Sequence, residues 1–192
     1  MKKIILIGAG GHCKSCIDVI EQENKYKISG LIDIKERIGQ KVFGYEITGC
    51  DEHIKKYIND DTFFLIAIGQ IESAAKRAGI YDLLKQNGAR MAIVISPLAY
   101  VSRHAVIGEG TIIMHNALVN ADAAIGKNCI INSKALIEHD AVIGDNCHIS
   151  TGSIVNGAAK IGRGTFIGSN ATVVHGADIA ENSFLKAGSI SK

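Results

Sequence analysis

The chain reads as an α/β domain with a parallel sheet followed by a parallel β-helix, and three observations predict this. From Val101 through Ile107 and Ile113 to Leu185, all fifteen residues spaced six apart are Val, Ile or Leu, and the position two before each is Ala, Cys, Ser or Thr. A beat of six fits neither a 3.6-residue helix nor a two-residue strand alternation, so it requires a stacked repeat. Over it runs a beat of eighteen: VIGEG at 106, AIGKN at 124, VIGDN at 142, KIGRG at 160 and DIAEN at 178. Three hexads therefore make one triangular coil, with the aliphatic residue inward and the small residue at a tight corner. Neighbouring coils pair their backbones at about 4.8 Å, and five coils fit the length.

The third observation is the alternation of strand-like and helical stretches in the first half. KKIILIG predicts a strand, His12 to about Glu23 a helix, and ISGLID a second strand ending at Asp33. TFFLIAIG leads into a helix from about Ile71 to Gln86, and RMAIVIS supplies another strand before Pro97. This Rossmann-like βαβ pattern implies a parallel sheet covered on both faces. Pro97, the only proline, is expected to end that strand and turn the chain into the first coil, giving domains of residues 1–96 and 97–192.

A net charge of +2 and an aromatic content of 5% leave neither a basic stripe nor stacking platforms, so nucleic acid is not an expected partner. The apolar stretch at the start is shorter than a signal peptide's and runs straight into His12 and Lys14. No apolar run approaches the roughly 20 residues of a membrane span, and the expected location is the cytoplasm. Cysteines there stay reduced. Cys129 and Cys147 hold the small inward position, and Cys13 and Cys16 share a helix, so all four read as packing.

GAGGH at 8–12 opens the first helix. Amides bared by Gly8, Gly10 and Gly11 at a helix N-terminus suit a phosphate, although Cys13 stands where the dinucleotide fingerprint has its third glycine. Asp33 at the end of the second strand is placed to accept from a ribose hydroxyl, and Gly69 in AIG adds a second glycine at a strand end.

Among the coil histidines, His139 lies at an outward corner between Glu138 and Asp140, and one coil later stands Gly157. Their backbones are expected about 5 Å apart. An imidazole to take a proton from an attacking amine or hydroxyl, beside a bare N–H for an oxyanion, is what acyl transfer from a thioester needs. Asp140 or Glu138 could orient the ring. His175 shares the corner two coils from His139, about 10 Å away by backbone spacing and so too far to act on the same atom. His115 and His104 read as structural or solvated. His148 interrupts an apolar outer stripe of Ile112, Ile130, Phe166 and Phe184, which suggests a partner or ligand surface. No metal-ligand spacing occurs, and no metal is expected.

With GAGGH, Asp33, AIG at 67–69, NSKALIEHDAVIG at 132–144, CHISTG at 147–152 and NG at 156–157, the chain resembles the hexapeptide-repeat sugar acyltransferases. These are the bacillosamine-pathway N-acetyltransferases and the sialic-acid O-acetyltransferases. The resemblance covers both halves and implies a left-handed β-helix, a homotrimer with acetyl-CoA between adjacent β-helices at the subunit interface, and a nucleotide-linked amino sugar on the N-terminal domain. It implies His139 as general base, Asp140 as its partner and Gly157 as the amide facing the acetyl oxygen. It also implies that His148 borders acetyl-CoA, that Asn132 borders the sugar, and that Gly8, Gly10, Gly11, His12, Asp33 and Gly69 hold the nucleotide part. The expected activity is direct acetyl transfer to the amine of a nucleotide-linked 4-amino-4,6-dideoxy sugar. O-acetylation of sialic acid or a related free sugar is one alternative, and a non-catalytic nucleotide-sugar-binding scaffold is the other.

Overall fold

The computed structural model describes residues 1–191. In the N-terminal half, strand β1 (Lys2–Ile7) leads through the glycine turn into helix α1 (Gly11–Glu23), and β2 (Tyr26–Ile32) follows. Next come β3 (Lys41–Val42), β4 (Tyr45–Gly49), a short helix α2 (Ile54–Tyr57), β5 (Thr62–Ile66), α3 (Ala75–Gln86) and β6 (Arg90–Met91). The sheet order is β3-β4-β2-β1-β5-β6, parallel except for the β3–β4 hairpin. β1 sits at its centre and is buried from Ile4 to Ile7, which is why its apolar run does not alternate. One face packs on α1 through Cys13, Cys16, Ile17 and Ile20, and the other on α3 through Tyr81 and Leu84.

The C-terminal half is the expected left-handed parallel β-helix, made of two-residue strands in three sheets. Each strand pairs in parallel with the one eighteen residues on: Ile113 with Ile131, Ile137 with Val155, Ile143 with Ile161. The aliphatic column, with Ala and Cys between, forms one core from Ile113 to Ile179. Each fully buried aliphatic side chain there contributes about 1.5–3 kcal/mol.

The corners obey a third six-residue rule. From Gly110 to Gly188 every sixth residue has a positive φ, and all but Lys134 and Ala158 are Gly, Asn or Asp. These residue types tolerate the left-handed region, so the chain places them where each corner turns.

Two expectations are corrected. RMAIVIS forms two strands: β6 pairs with β5, whereas Val94–Ile95 pairs with Ile112–Ile113 and already belongs to the first coil. Pro97 therefore lies in the first corner of the coil, after that strand. The outer stripe through His148 is no free surface, because the N-terminal domain covers most of it. Val94, Ile112 and Ile130 are fully buried in the same core as α1, and His148 is 7% exposed.

Arg77 of α3, 1% exposed, bolts the halves together. Its Nη1 donates to the carbonyls of Ile66 (3.0 Å) and Ile68 (2.7 Å), and Nη2 to the carbonyl (2.8 Å) and Oδ1 (3.0 Å) of Asn128 at a coil corner. Burial lowers its pKa to about 10, so it stays charged at neutral pH. Arg77→Met is expected to destabilise the protein by about 3 kcal/mol, because the orphaned buried acceptors outweigh the relief of desolvation. The denaturant midpoint measures it, and a loss below about 1 kcal/mol would refute the bolt.

Candidate active site

One corner of the coil carries Ala121, His139, Gly157 and His175, each one rung above the last. His139 Nδ1 is 2.6 Å from Asp140 Oδ2, so this nitrogen carries the proton and Nε2 keeps its lone pair. The hydrogen bond to Asp140 raises the His139 pKa above the ordinary histidine value. Asp140 holds its place because it occupies a left-handed corner position, φ 61°. Glu138 does not orient the ring: its Oε2 accepts from Asn120 Nδ2 at 2.8 Å and from the His139 amide at 3.2 Å.

A Cβ built on Gly157 would lie 2.9 Å from both Cε1 and Nε2 of His139, so the imidazole edge rests against the bare Cα. The Gly157 N–H donates to no acceptor among the described residues. In the two rungs below, Asn120 Oδ1 and Glu138 Oε2 cap the equivalent amides of Ala121 and His139, but Asn156 turns its Nδ2 to the Val173 carbonyl instead. That turn is what frees the amide. The same Cβ would lie 3.2 Å from His175 Nδ1. The expectation that His175 is too remote is therefore corrected, since backbone spacing ignores the reach of two imidazoles leaning toward one glycine.

His148 and Asn132 lie on another side of the coil and bond each other, Asn132 Nδ2 to His148 Nε2 at 3.1 Å. His148 Nδ1 donates to the Gln70 carbonyl at 2.6 Å, and burial lowers its pKa to about 4. Phe166 packs edge-on against it, and Phe184 stacks on Phe166. Asn132 Oδ1 accepts the Ser133 amide at 2.8 Å.

In the N-terminal domain Gly8, Gly10, Gly11, His12, Asp33 and Gly69 line one cavity of 250 Å³, with Arg37 and Lys76. Gly8 is required by contact, because a Cβ there would meet Ile68 at 2.5 Å. Above Gly10 and Gly11 nothing lies within 4 Å, and no side chain caps α1, so its first amides face open space. Asp33 Oδ2 accepts from the Ala9 amide (2.9 Å) and Arg37 Nη1 (2.6 Å), which braces the turn. Sequence reading missed Arg37, whose only signal is its place four residues after Asp33. His12 Nε2 is buried without a partner, and burial lowers the ring's pKa to about 3.

Other chemically suggestive groups are structural. Cys13 and Cys16 are fully buried, and burial pushes the Cys13 thiol up to about 12 and raises that of Cys16. Ser96, His115 and Asp18 have the composition of a hydrolytic triad, at 2.6 and 2.7 Å. Ser96 is fully buried, however, and its Oγ accepts the Leu98 amide, so the three tie the coil to α1. Among the described residues no three His, Cys, Asp or Glu side chains are grouped to hold a metal, and no helix is long and apolar enough to cross a membrane.

The comparisons with known proteins agree with this architecture. Residues 3–95 match the PglD N-terminal domain, residues 104–139 and 122–157 the bacterial transferase hexapeptide of six repeats, and 159–190 the hexapeptide repeat of succinyl-transferase. The chain thus joins an N-terminal domain of the PglD type to a run of bacterial transferase hexapeptide repeats. It is 34% identical over 116 residues to the UDP-N-acetylbacillosamine N-acetyltransferase of Bacillus subtilis, covering 59% of this chain and 52% of that protein. An uncharacterized mimivirus protein is 33% identical over 108 residues, which are 20% of its length, so the chain spans about half or less of these curated relatives. The acetyltransferase domain of PglB from Neisseria gonorrhoeae superposes with a TM-score of 0.92 at 25% identity, covering 100% of this chain and 92% of that one. PerB from Caulobacter crescentus, solved with CoA and GDP-perosamine, gives 0.91 at 26% identity, covering 100% and 89%.

Proposed function

We propose that the protein is a cytoplasmic acetyltransferase that transfers the acetyl group of acetyl-CoA directly to the 4-amino group of a nucleotide-linked 4-amino-4,6-dideoxy sugar. The observation that carries this reading is the unspent Gly157 N–H beside the free Nε2 of His139. His139 takes the proton from the attacking amine, Asp140 holds the ring in the required tautomer, and Gly157 donates to the oxygen as it becomes negative. All five cysteines and Ser96 are buried, which favours direct transfer over a covalent enzyme. The open glycine cavity, braced by Asp33 and Arg37 and bordered by His12 and Gly69, suits a diphosphate and its ribose. The names of the B. subtilis and Caulobacter proteins support the nucleotide-sugar assignment.

Residues 1–96 would hold the nucleotide part and 97–192 perform the transfer, with His148 bordering the coenzyme and Asn132 the sugar. The reading includes a homotrimer. The His139 corner is flanked by outward apolar residues, among them Leu136 and Ile154 on one side and Val142, 43% exposed, on the other. The β-helix of a neighbouring subunit would cover them and wall the acetyl site.

The test is thiol release from acetyl-CoA with UDP-, dTDP- or GDP-linked 4-amino sugars, and with sialic acid. Release with at least one nucleotide amino sugar and none with sialic acid is expected. Release with sialic acid alone would replace this reading by O-acetylation, and binding without release would leave a scaffold.

A further inference from the structure

We propose that His175 is a second catalytic imidazole, which protonates the sulfur leaving the acetyl group; this rests on the acetyl-transfer reading above. Expelling a thiol from a tetrahedral intermediate makes three demands around one carbon. A proton must leave the amine, negative charge must be held on the oxygen, and a proton must reach the sulfur. His139 and Gly157 meet the first two. The third has a candidate in the same column.

Gly157 stands between two imidazoles: the point its Cβ would occupy is 2.9 Å from His139 Nε2 and 3.2 Å from His175 Nδ1. Both ring nitrogens thus converge on the open space beside the Gly157 Cα, next to the amide that donates to no acceptor among the described residues. The two rings differ in their connections. His139 has Nδ1 committed to Asp140 at 2.6 Å, the arrangement of a base. His175 is exposed, makes no hydrogen bond among the described residues, and presents Nδ1 to the gap. Its chain neighbours Val174 and Gly176 carry no charge. Nothing in the fold explains an imidazole here: the corner's left-handed position is taken by Gly176, and the side chain packs into no core.

The step balances. The amine nitrogen forms its bond to the carbonyl carbon and gives a proton to His139 Nε2. The carbon–sulfur bond breaks, its electron pair leaves with sulfur, and sulfur takes the proton of His175 Nδ1. The proton on His139 then passes across the gap to His175, directly or through one water, and both rings are restored. The net change is one amide and one free thiol.

A group that protonates the leaving sulfur matters for a basic thiol and little for an acidic one. The experiment measures kcat/KM of wild type, His175→Asn and His175→Ala with two small acetyl donors, S-acetyl-N-acetylcysteamine and S-(4-nitrophenyl) thioacetate, at a fixed concentration of an accepted nucleotide amino sugar. Both variants should keep the wild-type unfolding midpoint, since the side chain is exposed. With the alkyl thioester a loss of about 10²-fold is expected, shrinking to less than about 3-fold with the aryl thioester. An equal loss with both donors, or none with either, overturns the role of His175 while leaving the acetyl-transfer reading intact. If wild type releases no thiol with any nucleotide amino sugar, that reading fails and takes this one with it.

Discussion

Replacing His139 by alanine should lower kcat by about 10²- to 10⁴-fold while acetyl-CoA still binds. The side chain is exposed and packs into no core, so the loss falls on the chemistry and not on the fold. The base acts only when Nε2 is unprotonated, so wild-type activity must fall as pH drops through the His139 pKa. Asp140 raises that pKa, which places the limb above the ordinary histidine range. Asp140→Asn keeps a residue suited to the left-handed corner and removes the charge, so the limb should move to lower pH. A limb belonging to the substrate amine would stay where it was. Wild-type turnover in His139→Ala would remove His139 from the role of base.

Most of the coil was legible because its periods are geometric. Six residues per side and eighteen per rung place His139 under Gly157 without further information, and the pairing of Ile137 with Val155 realises it. Side-chain reach was not legible. Counting rungs separates His139 from His175, yet both lean toward the same glycine. Apolar runs also do not name their partners: RMAIVIS looks like one strand but is divided between two sheets. The β3–β4 hairpin escaped because its strands are short and carry polar residues at Lys41 and Glu46. Arg77 escaped for an energetic reason. An arginine on an amphipathic helix ordinarily faces water, and only the carbonyls at the end of β5 together with the Asn128 corner make its burial tolerable. The N-terminal site was legible as a motif, whereas Arg37, which braces it, lies beyond the strand that the motif ends.

Gly157→Ala should cost at least as much in kcat as His139→Ala, about 10²- to 10⁴-fold, with little change in stability. Glycine is not demanded there by the backbone, since residue 157 has no left-handed φ, whereas its neighbour Ala158 does, at 56°. Its carbonyl accepts the Gly176 amide at 3.0 Å, a bond that an alanine would keep. What glycine supplies is room. An added methyl would meet His139 at 2.9 Å and His175 at 3.2 Å, both of them exposed rings that can swing aside at small energetic cost. The unfolding midpoint should therefore stay near wild type. Swinging aside takes Nε2 away from the attacking amine, and the methyl shields the amide that would hold the oxyanion. Two contributions to the transition state are lost together, so the double variant Gly157→Ala with His139→Ala should be scarcely slower than the worse single one. Turnover in Gly157→Ala equal to wild type would mean that the acetyl oxygen lies elsewhere on the coil.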